Sequence, residues 1–406
     1  MPVPGVPSAL LEGLIAAQRQ AGGVRVALVG GAVRDLLLHR VHNDPWRGVP
    51  DLDLVVEGRA SALVEGLRQV LPAGTVRAAL EHGAYGTVEV ELALDGQPWL
   101  LDVASARGET YPVAGENPQV TLGGLADDLA RRDFSINAIA LDLASSSLLD
   151  PHGGQGDLQR RQLRLLHPAS LRDDPTRLLR GARYAARLGF RLEPVSLAQA
   201  SATLAAWPWG WRPGDPPGQA PAALGTRLRM ELELLLEREP WRPALVALQQ
   251  WGGLELLDGR LQADSSWPRR LGWAQRFGLP RLVALVAGAA DPLALAERLQ
   301  LPHRQHRLLG QWLALRQQLP GRPDALTVLD WCALLEAPGH GPEAVALALA
   351  AGDGPRRPLL RWWLRWRQLR SPLSAQELID RGLRPGPALG AELRRLRSLR
   401  LAEERC

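Results

Sequence analysis

Two aspartates one residue apart, Asp51 and Asp53, begin an apolar run that continues to Val56. Residues i and i+2 of a β-strand point to the same face, so this spacing predicts two carboxylates side by side. Like charges in an apolar strand are costly unless a cation compensates them, and a divalent ion is the usual one. Carboxylate oxygens are ligands that Mg²⁺ prefers, so we predict that Asp51 and Asp53 bind Mg²⁺.

A glycine pair follows an apolar run upstream of these aspartates. Gly30 and Gly31 let the backbone approach a ligand closely, and the helix predicted after them offers free N–H groups to phosphate. Arg34, one turn into that helix, can add a bidentate phosphate contact. A dinucleotide-binding fold is the competing interpretation, but the third glycine of G-x-G-x-x-G is absent. The glycine pair and the aspartates together favour phosphoryl chemistry.

Aligned polar side chains occur again downstream, where Asp174 is followed by arginines at positions 177, 180 and 183. Their i, i+3 spacing would put them on roughly one face of a helix. A carboxylate accepts hydrogen bonds and a guanidinium donates them. Cytosine and adenine present an amino donor beside an unprotonated ring nitrogen, so Asp174 with Arg177 complements these two bases. Uracil and guanine would leave polar groups unpaired, at a cost of roughly 1–3 kcal/mol each.

Composition limits the classes of protein to which the chain can belong. At 406 residues it should form two or more domains, and a hydrophobic content of 46% is that of a globular protein. It has no apolar run near the roughly 20 residues that span a bilayer, and no signal peptide is recognisable. The two cysteines, Cys332 and Cys406, suggest neither a disulfide framework nor a metal cluster, so we expect a cytoplasmic location.

Local patterns divide the chain into a mixed N-terminal part and a helical remainder. Helices are predicted over 8–21, 32–39 and 61–71, and strands over 24–29, 52–56, 86–92 and 99–104. The segment after Arg107 has no clear period and is predicted to be a long loop. Beyond residue 125, helices are predicted over 171–189, 227–239, 241–251, 283–299, 303–319, 325–336, 342–351, 357–370, 374–380 and 388–402.

Four motifs occur in the order and approximate spacing of one enzyme family. They lie at residues 28–35, 51–53, 132–138 and 173–177, and together they resemble the class II tRNA nucleotidyltransferases of the DNA polymerase β superfamily. This family includes the CCA-adding enzymes and the bacterial poly(A) polymerases. The segment 373–390 is also similar to the C-terminus of the bacterial enzymes. One departure is visible, because Asp173 stands where the family usually has Glu.

The resemblance implies a fold of the α+β class. A polymerase-β-like nucleotidyltransferase head, with a small mixed sheet and the metal site, would occupy residues 1–150. An elongated all-α part would follow, with a neck for base recognition at 151–255, a body at 256–345 and a tRNA-binding tail at 346–406. Basic clusters near residues 356–367 and 394–397 fit RNA binding, whereas Trp362 and Trp366 are predicted to be core residues of their helix.

The resemblance also implies a role for each motif residue. Asp51 and Asp53 match the catalytic metal-binding carboxylates, and Asp102 is a weaker candidate for a third. The implied nucleotide-binding residues are Gly30, Gly31 and Arg34 at the triphosphate turn, Arg132 at the sugar and phosphates, Asp174 and Arg177 at the base edge, and Arg180 and Arg183 on the same face. The expected substrates are the tRNA 3′ end, CTP and ATP, with Mg²⁺ as cofactor and neither a membrane nor an obligate protein partner.

The implied activity is template-independent addition of CCA, or part of it, to tRNA by two-metal nucleotidyl transfer. An A-adding enzyme of a split system and a bacterial poly(A) polymerase are alternatives within the family. CC-adding members tend to lack a long loop such as the one predicted after Arg107, which disfavours that variant. Residues 81–87 do not resemble the arginine-rich segment of the poly(A) polymerases. A non-catalytic RNA-binding relative is an alternative of another class, and the intact aspartates argue against it.

Overall fold

The computed structural model describes residues 3–49, 51–83, 86–319 and 326–404. The chain forms two compact units, the first made of Met1–Gly210 with Glu239–Gly253 and the second of Trp211–Arg238 with Leu254–Cys406. The division into head, neck, body and tail is finer than this and stays a prediction. Residues 84 and 85, residue 325 and Cys406, which appear in the sequence predictions, lie outside the described residues.

A mixed β-sheet forms the centre of the first unit. The strands of this unit are β1 (Val26–Val29), β2 (Leu52–Val56), β3 (Val76–His82), β4 (Thr87–Leu94), β5 (Gln97–Ser105), β6 (Arg107–Thr110), β7 (Gln119–Leu122), β8 (Ala140–Asp142), β9 (Leu148–Leu149), β10 (Gln162–Leu163) and β11 (Arg191–Leu192). The seven-stranded sheet has the order β3-β4-β5-β2-β1-β8-β9. Strand β2 lies antiparallel to β1 and parallel to β5, which sets Asp53 opposite Asp102. This pairing puts three of the sheet's strands beside the predicted metal site.

Helices surround the sheet and then make up the rest of the chain. The first eight are α1 (Ser8–Gln20), α2 (Gly31–His42), α3 (Ala60–Val70), α4 (Leu125–Ala130), α5 (Gly154–Arg160), α6 (Ser170–Asp173), α7 (Thr176–Leu188) and α8 (Pro194–Ala206). Apolar spacing explains why α3 packs against α1 and the sheet, since Leu63, Val64 and Leu67 are buried. Gly66 permits the contact, because an added Cβ would lie 2.7 Å from the Ala17 carbonyl oxygen.

The second unit is helical in its described part, and α10 belongs to the first unit. The remaining helices are α9 (Ala222–Glu237), α10 (Trp241–Gln250), α11 (Gly259–Ala263), α12 (Trp267–Arg276), α13 (Arg281–Val286), α14 (Pro292–Arg298), α15 (His303–Gln318), α16 (Val328–Leu335), α17 (Pro342–Ala351), α18 (Arg356–Leu364), α19 (Ala375–Asp380) and α20 (Pro387–Ala402). Trp362 and Trp366 are 3% and 0% exposed, which confirms their predicted place in the core. No described helix is both long and apolar enough to cross a membrane.

Three sequence predictions need correction. The segment after Arg107 is a β-hairpin of β6 and β7 rather than a loop, since its strands pair from Arg107 with Leu122 to Thr110 with Gln119. The helix predicted over 171–189 is two helices, because Pro175 lacks the N–H that a continuous helix needs. The helix predicted over 283–299 is likewise interrupted, between α13 and α14.

Candidate active site

One cavity of about 440 Å³ in the first unit brings together every residue predicted for the site except Asp102, the weaker candidate for a third carboxylate. These are Gly30, Gly31, Arg34, Asp51, Asp53, Arg132, Asp174, Arg177, Arg180 and Arg183. They come from the turn before α2 and the first turn of that helix, from β2 and the residue before it, from the segment after α4, and from α7 and the turn before it. Seven further residues complete the lining, namely Glu109, Tyr111, Arg131, Asp133, Asn137, Tyr184 and Arg187. Residues more than a hundred positions apart therefore face the same space.

Carboxylates at one end of the cavity lack a full complement of positive charge. Asp51 is exposed and Asp53 is partly buried in β2. Burial raises the pKa of Asp53 to about 6, against the lowering effect of Arg132, and the charges of Asp102 and Asp51 add to the rise. Such a carboxylate favours a bound cation, and carboxylate oxygens suit a divalent one.

The donors at this end fit a metal that also uses substrate and water oxygens. Among the residues that the structure describes, no three His, Cys, Asp or Glu side chains are grouped as ligands of one ion. Magnesium usually takes only one or two carboxylates and fills its other positions with water and phosphate oxygens. Asp102 is exposed on β5 in register with Asp53, and its role as a third ligand stays a prediction.

The turn at Gly30 brings the backbone close to the Asp53 carboxylate. Gly30 has φ +69°, and an added Cβ would lie 3.1 Å from Asp53 Oδ2 and 3.4 Å from Arg132 Nη1. A side chain there would be strained by the left-handed backbone and would also crowd both groups. Glycine is therefore required at this position for two separate reasons.

Arg34 is buried at the start of α2 and its guanidinium is fixed on all sides. Its Nε and Nη2 donate to the carboxylate of Asp35 at 2.8 and 3.1 Å, and its Nη1 donates to Asn137 Oδ1 at 2.9 Å. The ring of Tyr184 lies under the guanidinium, 5.6 Å from its central carbon. This orientation is set before any ligand binds, which lowers the entropy cost of binding.

A buried carboxylate holds the adjacent arginines that follow α4. Asp128 is 0% exposed and accepts hydrogen bonds from Nε and Nη2 of both Arg131 and Arg132. Arg131 Nη1 also donates to Glu109 Oε1 at 3.1 Å, and Tyr111 donates to the other oxygen of Glu109. Glu109 and Tyr111 belong to the hairpin segment, so this segment is connected to the site by hydrogen bonds.

At the other end of the cavity, the Asp174 side chain accepts hydrogen bonds from two residues. Its Oδ1 accepts from the backbone N–H and the hydroxyl of Thr176 at 3.1 and 2.6 Å, at the first residue of α7. Its Oδ2 accepts from Arg180 Nη2 at 3.1 Å. The side chain is 8% exposed, and the cavity wall includes it.

Arg177 is 3% exposed and its two terminal nitrogens already have protein partners. Nη1 donates to Ser170 Oγ at 2.7 Å, and Nη2 donates to the backbone carbonyl of Arg131 at 2.8 Å. Its Nε makes no hydrogen bond within the described part of the chain. These two contacts fix the plane of the guanidinium in the wall of the cavity.

Asp133 is a buried carboxylate whose charge is compensated by several donors. It accepts from the backbone N–H of Phe134, from Asn137 Nδ2 at 3.1 Å and from Arg180 Nε at 3.0 Å. Burial alone would raise the pKa of Asp133, but the charge of Arg180 and the hydrogen bond from Asn137 outweigh it and hold the pKa below its ordinary value. Asp133 is therefore a fixed anion that aligns Arg180.

Sequence reasoning missed several residues that hold this arrangement together. Asp128 precedes Arg131 and Arg132 by three and four positions, so the rule for helical ion pairs could have found it. Glu109, Asn137 and Tyr184 carry no local signal of that kind. Glu239 and Arg187 were missed as well, and they interact across 52 positions of sequence.

Comparisons with known proteins place this chain in a family. Residues 26–164 match the family described as poly(A) polymerase head domain. A CC-adding tRNA nucleotidyltransferase of Deinococcus radiodurans is 36% identical over 94% of this chain and 86% of its own length. An A-adding tRNA nucleotidyltransferase of Halalkalibacterium halodurans is 42% identical over 43% of this chain and 39% of its own length.

Solved structures share the fold. A CCA-adding enzyme in its apo form II has a TM-score of 0.71 and 24% identity over 98% of this chain and 93% of its own. A Thermotoga maritima CCA-adding enzyme complexed with tRNA has a TM-score of 0.66 and 23% identity over 98% of this chain and 92% of its own. The fold is that of a nucleotidyltransferase. The chain belongs to the tRNA nucleotidyltransferase family, whose members use divalent metal ions.

Proposed function

We propose that this protein extends tRNA 3′ ends with nucleotides of the CCA sequence, using CTP and ATP without a template. The observation that carries the proposal is the presence of Asp51 and Asp53 in the same cavity as Asp174 and Arg177. The first pair suits phosphoryl transfer, and the second suits bases that present an amino group beside an unprotonated nitrogen. Since relatives of this chain act on tRNA, we expect the reaction to take place in the cytoplasm.

In the proposed reaction the RNA 3′-hydroxyl oxygen forms a bond to the α-phosphorus of the nucleotide. The bond between that phosphorus and the oxygen bridging to the β-phosphate breaks, and pyrophosphate leaves. Asp51 and Asp53 would hold Mg²⁺, which when bound supplies activation of the hydroxyl and neutralisation of the leaving group. Arg34 and Arg132, held by Asp35 and Asp128, would orient the triphosphate through fixed guanidinium planes.

The base would be selected by fixed side chains in place of a template strand. Arg177 is held by Ser170 and by the Arg131 carbonyl, so it cannot turn to suit uracil or guanine. Asp174 is held by Thr176 and Arg180 in the same way. A base that matches neither group would leave buried polar atoms unpaired, which costs roughly 1–3 kcal/mol for each.

The helical second unit offers a surface suited to the RNA. A cavity of about 650 Å³ there is lined by aromatic and basic side chains that include Phe277, Arg304, Arg307, Trp363 and Arg367. The Arg367 guanidinium lies 3.7 Å from the centre of the Trp363 ring. Arginines bind backbone phosphates and aromatic rings stack on unpaired bases. These residues support the predicted tRNA contact of the C-terminal part.

Three tRNA transcripts test the activity, ending before CCA, after C and after CC, each with CTP or ATP alone and then with both. A CCA-adding enzyme extends all three and completes the sequence. If none of the transcripts shows metal-dependent incorporation, the proposal is overturned and a non-catalytic RNA-binding relative is favoured. Extension of only the CC-ended transcript, by A, would identify an A-adding enzyme, and a long A tail on other RNA would identify a poly(A) polymerase.

A CC-adding activity is the second candidate, since the Deinococcus radiodurans relative that matches 94% of this chain is a CC-adding enzyme. The segment after Arg107 disfavours this candidate, because CC-adding members tend to lack a long segment there and this chain has a hairpin. The same transcripts decide, because a CC-adding enzyme stops after the second C even when ATP is present.

A further inference from the structure

Most arginine donors that line the cavity already have protein acceptors. Every side-chain nitrogen of Arg34, Arg131 and Arg180 donates to an acceptor of the protein. Arg187, in the last turn of α7, differs from these three. Its Nε and Nη2 donate to Glu239, while its Nη1 makes no hydrogen bond in the part of the chain that the structure describes. Arg187 therefore keeps a fixed guanidinium with one donor group available to a ligand.

Glu239 is buried beside this guanidinium and contacts a second arginine. Its side chain is 1% exposed, with Oε2 2.9 Å from Arg187 Nε and Oε1 3.4 Å from Arg183 Nε. Arg183 and Arg187 are four residues apart on α7, where like charges repel each other. One carboxylate between two guanidiniums compensates that repulsion and leaves a net positive charge at the cavity wall. A buried carboxylate is tolerated only with such partners.

The position of Arg187 indicates the phosphate end of the site. The hydrogen bond to Glu239 raises the pKa of Arg187, and the charge of nearby Asp35 adds to the rise. Asp35 is also the carboxylate that holds Arg34 at the glycine turn. Tyr184, one turn before Arg187 on α7, carries the Arg34 guanidinium over its ring. Arg187 thus lies one turn along α7 from the ring that carries Arg34, and its side chain is 38% exposed.

We propose that Arg187 is a further phosphate-binding residue of this cavity and that Glu239 is its positioning residue. The ligand would be the triphosphate of the incoming nucleotide and then the pyrophosphate that leaves. This inference rests on the proposed nucleotidyl transfer. Neither residue follows from the motifs that predicted the rest of the site. A phosphate of the RNA backbone has the same chemistry, and the experiment separates the two sources.

The test measures steady-state kinetics of Arg187→Gln, Glu239→Gln and Glu239→Asp with Arg191→Gln as the matched control. Arg191 is an exposed arginine four residues further along, outside the cavity. Arg187→Gln should raise the KM for CTP and the inhibition constant of pyrophosphate about tenfold, equivalent to about 1.4 kcal/mol. The KM for tRNA and kcat should change little. Glu239→Gln should raise the same two constants by a smaller factor, and Glu239→Asp should restore part of the loss.

The outcomes separate the sources of phosphate and the two proposals. An unchanged pyrophosphate constant for Arg187→Gln, in a variant whose thermal midpoint matches that of the control, overturns the inference. A raised KM for tRNA alone also overturns it and identifies the RNA backbone as the ligand. If the unaltered protein incorporates no nucleotide, the proposed function fails, and direct calorimetric binding of CTP and of pyrophosphate still tests Arg187. Weaker binding of both by Arg187→Gln than by Arg191→Gln supports the inference.

Discussion

Carboxylates at the two ends of the cavity have pKa values shifted in opposite directions. We call the end with Asp53 the metal end and the end with Asp174 the base end, after their predicted ligands. At the metal end, Asp53 is partly buried beside other carboxylates, and its pKa is raised to about 6 by burial, against the effect of Arg132. At the base end, burial also raises the pKa of Asp133, but Arg180 and Asn137 more than offset it. The protein's own side chains thus compensate the charge of Asp133, whereas they leave the charge of Asp53 poorly compensated. The difference is the one expected if a base is read at the Asp174 end and a metal binds at the Asp53 end.

The largest expected effect comes from removing a charge at the metal end. Asp53→Asn should lower nucleotide incorporation by roughly a thousandfold, because the metal that would neutralise charge in the transition state loses a ligand. Its unfolding midpoint should stay the same or rise, since a poorly compensated charge is gone. Asp95→Asn is the control, as Asp95 is an exposed residue with φ 51° in a turn that asparagine also tolerates. Normal incorporation by Asp53→Asn would remove this residue from the metal site.

An aspartate-to-asparagine substitution at the base end should mainly lower the stability of the fold. Asp133→Asn should lower the free energy of unfolding by about 3 kcal/mol, since it leaves Arg180 without the charge that its Nε contacts. Urea denaturation measures the change against Asp95→Asn. A loss as small as that of the control would show that Asp133 is not the anion that holds the base end together.

Asp53 and Asp133 should contribute to the pH dependence of stability with opposite signs. The folded pKa of Asp53 is raised, so its contribution is fully present below the unfolded pKa and is lost as pH rises through about 6. The folded pKa of Asp133 is lowered, so its contribution is present above the unfolded pKa and is lost as pH falls through the folded value. Without metal, the protein should lose about 2 kcal/mol relative to Asp53→Asn between about pH 4 and pH 7.

Added Mg²⁺ should reverse that loss, because it replaces the proton on the ionised carboxylate. The rise of the thermal midpoint on adding Mg²⁺ should therefore be larger at neutral pH than at about pH 5. Equal shifts at both pH values, or an equal shift in Asp53→Asn, would contradict a metal site at this carboxylate.

A smaller effect is expected from loosening the base end. Arg177→Lys should reduce the preference for CTP over UTP about tenfold, since lysine lacks the planar donor pair that Ser170 and the Arg131 carbonyl fix. Competition between the two nucleotides on one tRNA transcript measures the preference, with Arg191→Lys as the control. An unchanged ratio would mean that Arg177 does not read the base.

Short, regular patterns could be predicted from the sequence, and long-range pairings could not. Strand β2 was predicted at its observed bounds because its buried positions are apolar. Strand β3, at the edge of the sheet, has mostly exposed residues without alternation, so no periodic signal marks it. In the site, the glycine turn and Asp51 with Asp53 are local motifs. Glu239 reaches Arg187 only through the folding of α10 against α7, which no local spacing encodes.

Asp174 is proposed to read the base and also contacts the first residue of α7, which limits how the protein could be redesigned to incorporate other bases. One of its oxygens begins the helix that carries Arg180 and Arg183, through Thr176. A substitution that inverted the hydrogen-bond pattern toward uracil would thus also release the first turn of that helix. Laboratory evolution toward new base preference should therefore first require a substitute for the contact at Thr176. Asparagine alone would not suffice: it can keep an acceptor at Thr176, but its amide nitrogen would then face Arg180 Nη2, which is itself a donor.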